Sequence, residues 1–230
     1  MAAALLPCVE VDAQGEPSGS VIWLHGLGAS GHDFEPIVPY LQLPQVRFVF
    51  PHAPSRGVTI NQGLIMPAWY DIVSFGLPRG GEDEEDVRES AAMVEALVAR
   101  EGERGVSADR VVLAGFSQGG AMALFTGTRY PKTLAGIMVL SGYEVLAHTR
   151  EAEAAEANRR TPMLFCHGTH DPMVTVDRAR AAFAAHEGPG RLAEWHEFPM
   201  AHEVAPAEIA VIRDWLAVRL GAAKAPGSGS

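Results

Sequence analysis

Short, strongly apolar, β-rich runs recur along the chain at residues 21–24, 46–50, 110–114, 136–140, 163–166 and 193–198. Each has the length of a strand. The first five show no polar alternation, the mark of strands covered on both faces, whereas the sixth alternates and predicts an edge or near-edge strand. Between them the apolar period changes. Val87, Ala91, Val94 and Val98 are spaced 4, 3, 4, and Ile209, Ile212, Leu216 and Leu220 are spaced 3, 4, 4, as on helices with one apolar face. The acidic run Glu82-Asp83-Glu84-Glu85-Asp86 precedes the first of these, where carboxylates favour the positive end of the helix dipole. Strands alternating with helices predict an α/β three-layer sandwich on a mostly parallel sheet, with right-handed crossovers and no separate large lid domain. Ligands of such sheets bind outside the carboxyl ends of the strands, so the loops there carry the interest.

Composition narrows this picture. With 230 residues, 47% of them hydrophobic, one domain over residues 1–220 is expected, followed by a small, polar, disordered tail at 221–230. A net charge of −10 and no Lys/Arg-rich block leave nothing to neutralise a nucleic-acid backbone or an anionic membrane surface. Nucleic acid is not an expected partner, and stable membrane insertion is not expected either, because no apolar segment approaches spanning length. The opening residues lack the basic region of a secretory signal, and two cysteines, Cys8 and Cys166, are too few for a disulfide framework. A cytoplasmic setting with reduced thiols follows as the expectation. The Pro- and Gly-rich connection 51–81, which contains Trp69-Tyr70, is long for a compact domain and is expected to border a binding cleft.

The sharpest chemical feature is Gly115-Phe116-Ser117-Gln118-Gly119-Gly120, directly after one predicted strand and directly before a helical stretch at 121–130. This is G-x-S-x-G in a strand-turn-helix context, where flanking glycines let a strained turn present the serine hydroxyl. A serine needs a base within hydrogen-bond reach and a carboxylate to orient that base, and on this scaffold the chain order is serine, acid, histidine. Asp171, after the strand and turn Met163 to His170, and His202, between the last strand and the last helix, fit. Most of the other eight histidines have plainer readings: His25 and His167 end strands beside glycines and suit loop backbone, His196 lies within a strand and His186 near a helix end. Asp177 reads as a helix start and Glu197 lies inside a strand. Cys166, His167, His170 and Asp171 could also be read as metal ligands. An extended strand and tight turn point them apart, and neither a metal nor any other cofactor is expected. Acyl transfer also needs oxyanion donors. The N–H of Leu27, in Leu24-His25-Gly26-Leu27-Gly28, and the N–H of Gln118, at the helix start, are the candidates. Trp69, with Leu64, Ile65 and Met66, is expected to line an acyl slot.

Several motifs in one order then carry a resemblance: Leu24-His25-Gly26-Leu27-Gly28 with His32-Asp33-Phe34, Pro51-His52-Ala53-Pro54, Ala68-Trp69-Tyr70-Asp71, the Ser117 motif, His167-Gly168-Thr169-His170-Asp171-Pro172, and Ala201-His202. Over roughly 20–220 the sequence resembles the carboxylesterase and phospholipase family of small α/β-hydrolases, which includes bacterial carboxylesterases and acyl-protein thioesterases. The resemblance implies a serine esterase with Ser117, Asp171 and His202 as triad and Leu27 and Gln118 as oxyanion donors. The expected substrate is a small-molecule ester with a small to medium acyl chain; a thioesterase or lysophospholipase activity is the alternative. A homodimer stays open, since relatives include dimers. Glu203 beside the base and Glu144-Val145 after Tyr143 are the departures to watch.

Overall fold

The apolar runs become strands whose alternate residues feed two separate cores. The computed structural model describes residues 5–74, 81–188 and 190–222. In chain order the elements are β1 (Cys8–Val11), β2 (Gly19–Leu24), α1 (Val38–Leu41), β3 (Val46–Pro51), β4 (Ser55–Val58), β5 (Leu64–Pro67), α2 (Glu84–Glu103), β6 (Val111–Phe116), α3 (Gln118–Arg129), β7 (Gly136–Leu140), α4 (Arg150–Glu153), β8 (Met163–Gly168), α5 (Val176–His186), β9 (Ala193–Phe198) and α6 (Pro206–Arg219). Seven strands form one sheet in the order β1-β3-β2-β6-β7-β8-β9. Every pair is parallel except β1 with β3.

Because successive strand residues face opposite ways, Val111 and Leu113 join one core with Ile22, Val139 and Phe165, while Val112 and Ala114 join the other with Val21, Met138 and Leu164. Helices α2, α3 and α5 cover the first face through Val87, Ala91, Val94, Val98, Met122 and Ala182. Helices α1 and α6 cover the second through Leu41, Ile212 and Leu216, with Leu220 just past the end of α6. The apolar spacings read from sequence are therefore the contact faces of α2 and α6. The start of α2 is capped by Asp83, whose side chain accepts from the N–H of Asp86. Among the described residues no separate lid domain stands over the sheet.

Three expectations change. β1 was not predicted: it is a four-residue, partly exposed edge strand, too short for its alternation to register. The connection 51–81 is not simply a loop, because β4 and β5 pair antiparallel into a ribbon, Ser55 opposite Pro67 through Val58 opposite Leu64. Asp71 pins its turn, accepting from Thr59 N–H and Oγ1–H, both at 2.6 Å, and Arg56 pairs with Asp86 of α2. Of the expected tail, Gly221 and Ala222 still belong to the folded chain, with Ala222 buried in the α6 core; the rest of it, 223–230, lies outside the described residues, as do 75–80 of the long connection.

Candidate active site

β6 ends at the middle of the sheet and turns at once into α3, and the turn places Ser117 at φ 54°, ψ −119°. Such a conformation is costly for a residue with a side chain. It persists because its surroundings hold it: Ser117 N–H donates to Leu140 O at 2.8 Å, and Ser117 O accepts the N–H of Ala121 at 3.0 Å. The flanking glycines are required by contact. A Cβ on Gly115 would stand 2.1 Å from Gly119 O, and one on Gly119 would stand 2.3 Å from Leu24 O.

Asp171 and His202, the candidate acid and base, arrive on two loops zipped together beyond the ends of β8 and β9. Thr169 N–H donates to Phe198 O at 2.8 Å and His170 N–H to Met200 O at 3.1 Å. Gly168 permits the approach, since a Cβ there would meet Met200 O and Ala201 O at 2.4 Å. Asp171 is buried. Its Oδ1 accepts the N–H groups of Met173 and Val174 at 2.8 and 2.9 Å, which leaves Oδ2 to face His202 Nδ1 at 2.6 Å. On the other side of the ring His202 Nε2 lies 2.8 Å from Ser117 Oγ. A carboxylate can only accept, so Nδ1 carries the proton and Nε2 is free to accept from the serine hydroxyl. The Phe116 ring, 4.7 Å from the His202 ring between centroids, backs the imidazole.

The neighbouring histidines have structural roles. His25 Nδ1 donates to Gly26 O at 2.7 Å while its Nε2 accepts Ala53 N–H at 3.0 Å; burial lowers its pKa, consistent with the neutral ring these bonds require. His167 Nε2 donates to Val174 O at 2.8 Å, and burial lowers its pKa too. Cys166 is packed in the α6 core, away from His167 and Asp171, which approach to 3.6 Å; among the described residues no three His, Cys, Asp or Glu side chains gather as a metal site. Glu144 turns away from the cleft, pairing with His186 at 3.1 Å and Arg150 at 2.5 Å.

A cleft of about 600 Å³ opens over Ser117 and His202. Leu27, Phe34, Ile37, Ile60, Met66 and Val204 supply apolar wall, and Tyr143 and Glu203 also border it. Around it the backbone pairs are Gly28 N–H to Pro67 O and Ala29 N–H to Gly26 O; neither uses Leu27 N–H or Gln118 N–H, the two candidate oxyanion donors, whose residues both line the cleft.

The expected acyl slot needs correction. Met66 lines the cleft, but Leu64 and Ile65 do not. They are 62% and 73% exposed, because Ile65 falls on the face of the ribbon opposite Met66 and Leu64 sits at its turn end. Trp69 does not line the cleft either. It is fully buried, with its indole N–H on His25 O at 2.8 Å. Phe34, Ile37, Ile60 and Val204 were missed as wall residues; Phe34 stands inside the His32-Asp33-Phe34 motif and Val204 two residues after His202, which were the available signals.

The model of the phospholipase/carboxylesterase family matches residues 7–220. Acyl-protein thioesterase 1 of Yarrowia lipolytica is 35% identical over 217 residues, covering 91% of this chain and 96% of that protein. Among solved structures, SOBER1 of Arabidopsis thaliana superposes with a TM-score of 0.81 at 34% identity, covering 88% of this chain and 99% of that one. Acyl-protein thioesterase 2 of Zea mays gives a TM-score of 0.84 at 27% identity, covering 94% and 99%.

Proposed function

The chain belongs to the phospholipase/carboxylesterase family of α/β-hydrolases, and from that premise we propose that it is a serine hydrolase cleaving carboxylic esters of small to medium acyl chains through an acyl-enzyme. The observation that carries the reading is the continuous contact from Asp171 Oδ2 through His202 to Ser117 Oγ, 2.6 and 2.8 Å. His202 Nε2 takes the serine proton as Oγ attacks the carbonyl carbon. The N–H groups of Leu27 and Gln118 receive the developing oxyanion. His202 then protonates the departing alcohol, and water, deprotonated by the same nitrogen, releases the acid. Asp171 holds the ring in the tautomer this sequence needs and stabilises the imidazolium.

Thioesters are the second reading, favoured by the name of the Yarrowia relative; the same machinery cleaves both bonds. No described helix is long and apolar enough to cross a membrane, and two unpaired cysteines support a reducing, cytoplasmic setting.

The test is kcat/KM on p-nitrophenyl esters from acetate to palmitate and on the matching thioesters, with Ser117→Ala as control. Each fully buried CH₂ contributes about 0.8 kcal/mol, roughly fourfold. A rise to butyrate or hexanoate followed by a fall is the expected result. A continued rise to palmitate with thioesters preferred would replace it with the second reading.

A further inference from the structure

Trp69 is a fully buried indole that stands behind the cleft rather than in its wall. Its ring nitrogen donates to His25 O at 2.8 Å, and its main-chain N–H donates to Gln118 Oε1 at 2.8 Å. Gln118 returns the contact, its Nε2 donating to Tyr70 O at 2.8 Å, and Ser90 Oγ donates to Trp69 O. All of these groups are buried. His25 lies two residues before Leu27, and Gln118 is itself the other candidate oxyanion donor. The two donor-bearing segments also touch directly, since His25 O lies 2.5 Å from where a Cβ on Gly119 would stand. One residue therefore holds both segments through fixed hydrogen bonds, and Gly28 N–H on Pro67 O, 2.8 Å, ties the same loop to the same strand end.

We propose that Trp69 is the positioning residue of the oxyanion hole, its indole N–H fixing the Leu27 loop and its main-chain N–H fixing Gln118, so that this strut sets the separation of the two donors. The inference rests on the serine-hydrolase reading. An indole suits the task because its N–H is rigid with the ring and the side chain has only two rotatable bonds. The ring also packs 5.4 Å from the His25 imidazole, centroid to centroid. Removing its N–H leaves a buried carbonyl without its donor, and that carbonyl can recover a partner only by moving the loop. Oxyanion donors act in the transition state and depend on placement, so misplacing one lowers kcat rather than substrate affinity.

The experiment compares wild type, Trp69→Phe, and a protein carrying 3-benzothienylalanine at position 69, which keeps the shape of the ring and removes only its N–H. Turnover of p-nitrophenyl butyrate is measured per active site, with sites counted by phosphonate titration so that unfolded protein does not enter. Both variants are expected to lose about ten- to a hundredfold in kcat, with KM within threefold and the pH midpoint of kcat/KM unmoved, because the triad is untouched. Recovery of kcat by the benzothienyl ring would overturn the proposal, since shape alone would then suffice. So would a rise in KM at constant kcat, which would return Trp69 to the acyl slot. Wild-type turnover that survives Ser117→Ala would instead strike the serine-hydrolase reading, so the two failures are distinguishable.

Discussion

Two buried carboxyl groups flank the loop that carries His202, and the protein treats them in opposite ways. Asp171, before it in the chain, receives two main-chain N–H groups and the imidazole. Glu208, in the first turn of α6, is fully buried, and no side-chain donor reaches either carboxyl oxygen. Burial pushes the Glu208 carboxyl up to about 8, with the backbone of Ala205 opposing, which favours the uncharged acid at neutral pH. The contrast separates a carboxyl built to face a charge from one tolerated by staying uncharged. Donors aimed at Asp171 come from the same turn that brings it to His202, so the local fold of 168–174 prepares the electrostatics together with the geometry.

The largest effect expected from breaking the contrast is at Asp171. Asp171→Asn keeps the shape but offers a donor where Nδ1–H needs an acceptor, which favours the wrong tautomer of His202; kcat should fall about 10⁴-fold with little change in thermal stability. Steady-state kinetics beside a melting curve checks both halves.

A smaller effect, on stability and of opposite sign, is expected at Glu208. Its folded pKa is raised above the ordinary value near 4.5. Below that value both folded and unfolded chains hold the proton and the group adds no pH dependence to stability. As pH rises past it the unfolded chain ionises first, so stability falls until about pH 8 and is level beyond. Glu208→Gln should therefore match wild type at pH 4 and melt higher above pH 6, by roughly 2–4 °C for each kcal/mol recovered, with activity at neutral pH retained. Equal melting shifts at all pH values would mean the carboxyl is not held neutral.

How much of this was legible before the fold was known follows a physical division. Ser117, Asp171 and His202 stand on turns between regular elements in a fixed chain order, and such turns are written in glycines and in strand and helix periods. The strands 136–140 and 163–166 were equally plain because both faces are buried. Trp69 was misread because an aromatic in a Pro/Gly-rich stretch looks like a pocket wall. Its actual partners, His25 O and Gln118 Oε1, lie 44 and 49 residues away, and no local pattern encodes a main-chain carbonyl as an acceptor. Leu64 and Ile65 were misplaced for a related reason: without the ribbon register, the face each presents is undefined. Glu208 was hidden inside a helix whose apolar period does not mark it.

The proposed chemistry depends first on Ser117 being an activated nucleophile within this constellation. The direct measurement is to treat the folded protein with a fluorophosphonate and locate the adduct by intact and peptide mass. One phosphonyl group per chain is expected, on Ser117, and none on folded Ser117→Ala. Folded wild-type protein that takes up no phosphonyl group, or takes it up at another residue, would contradict that chemistry.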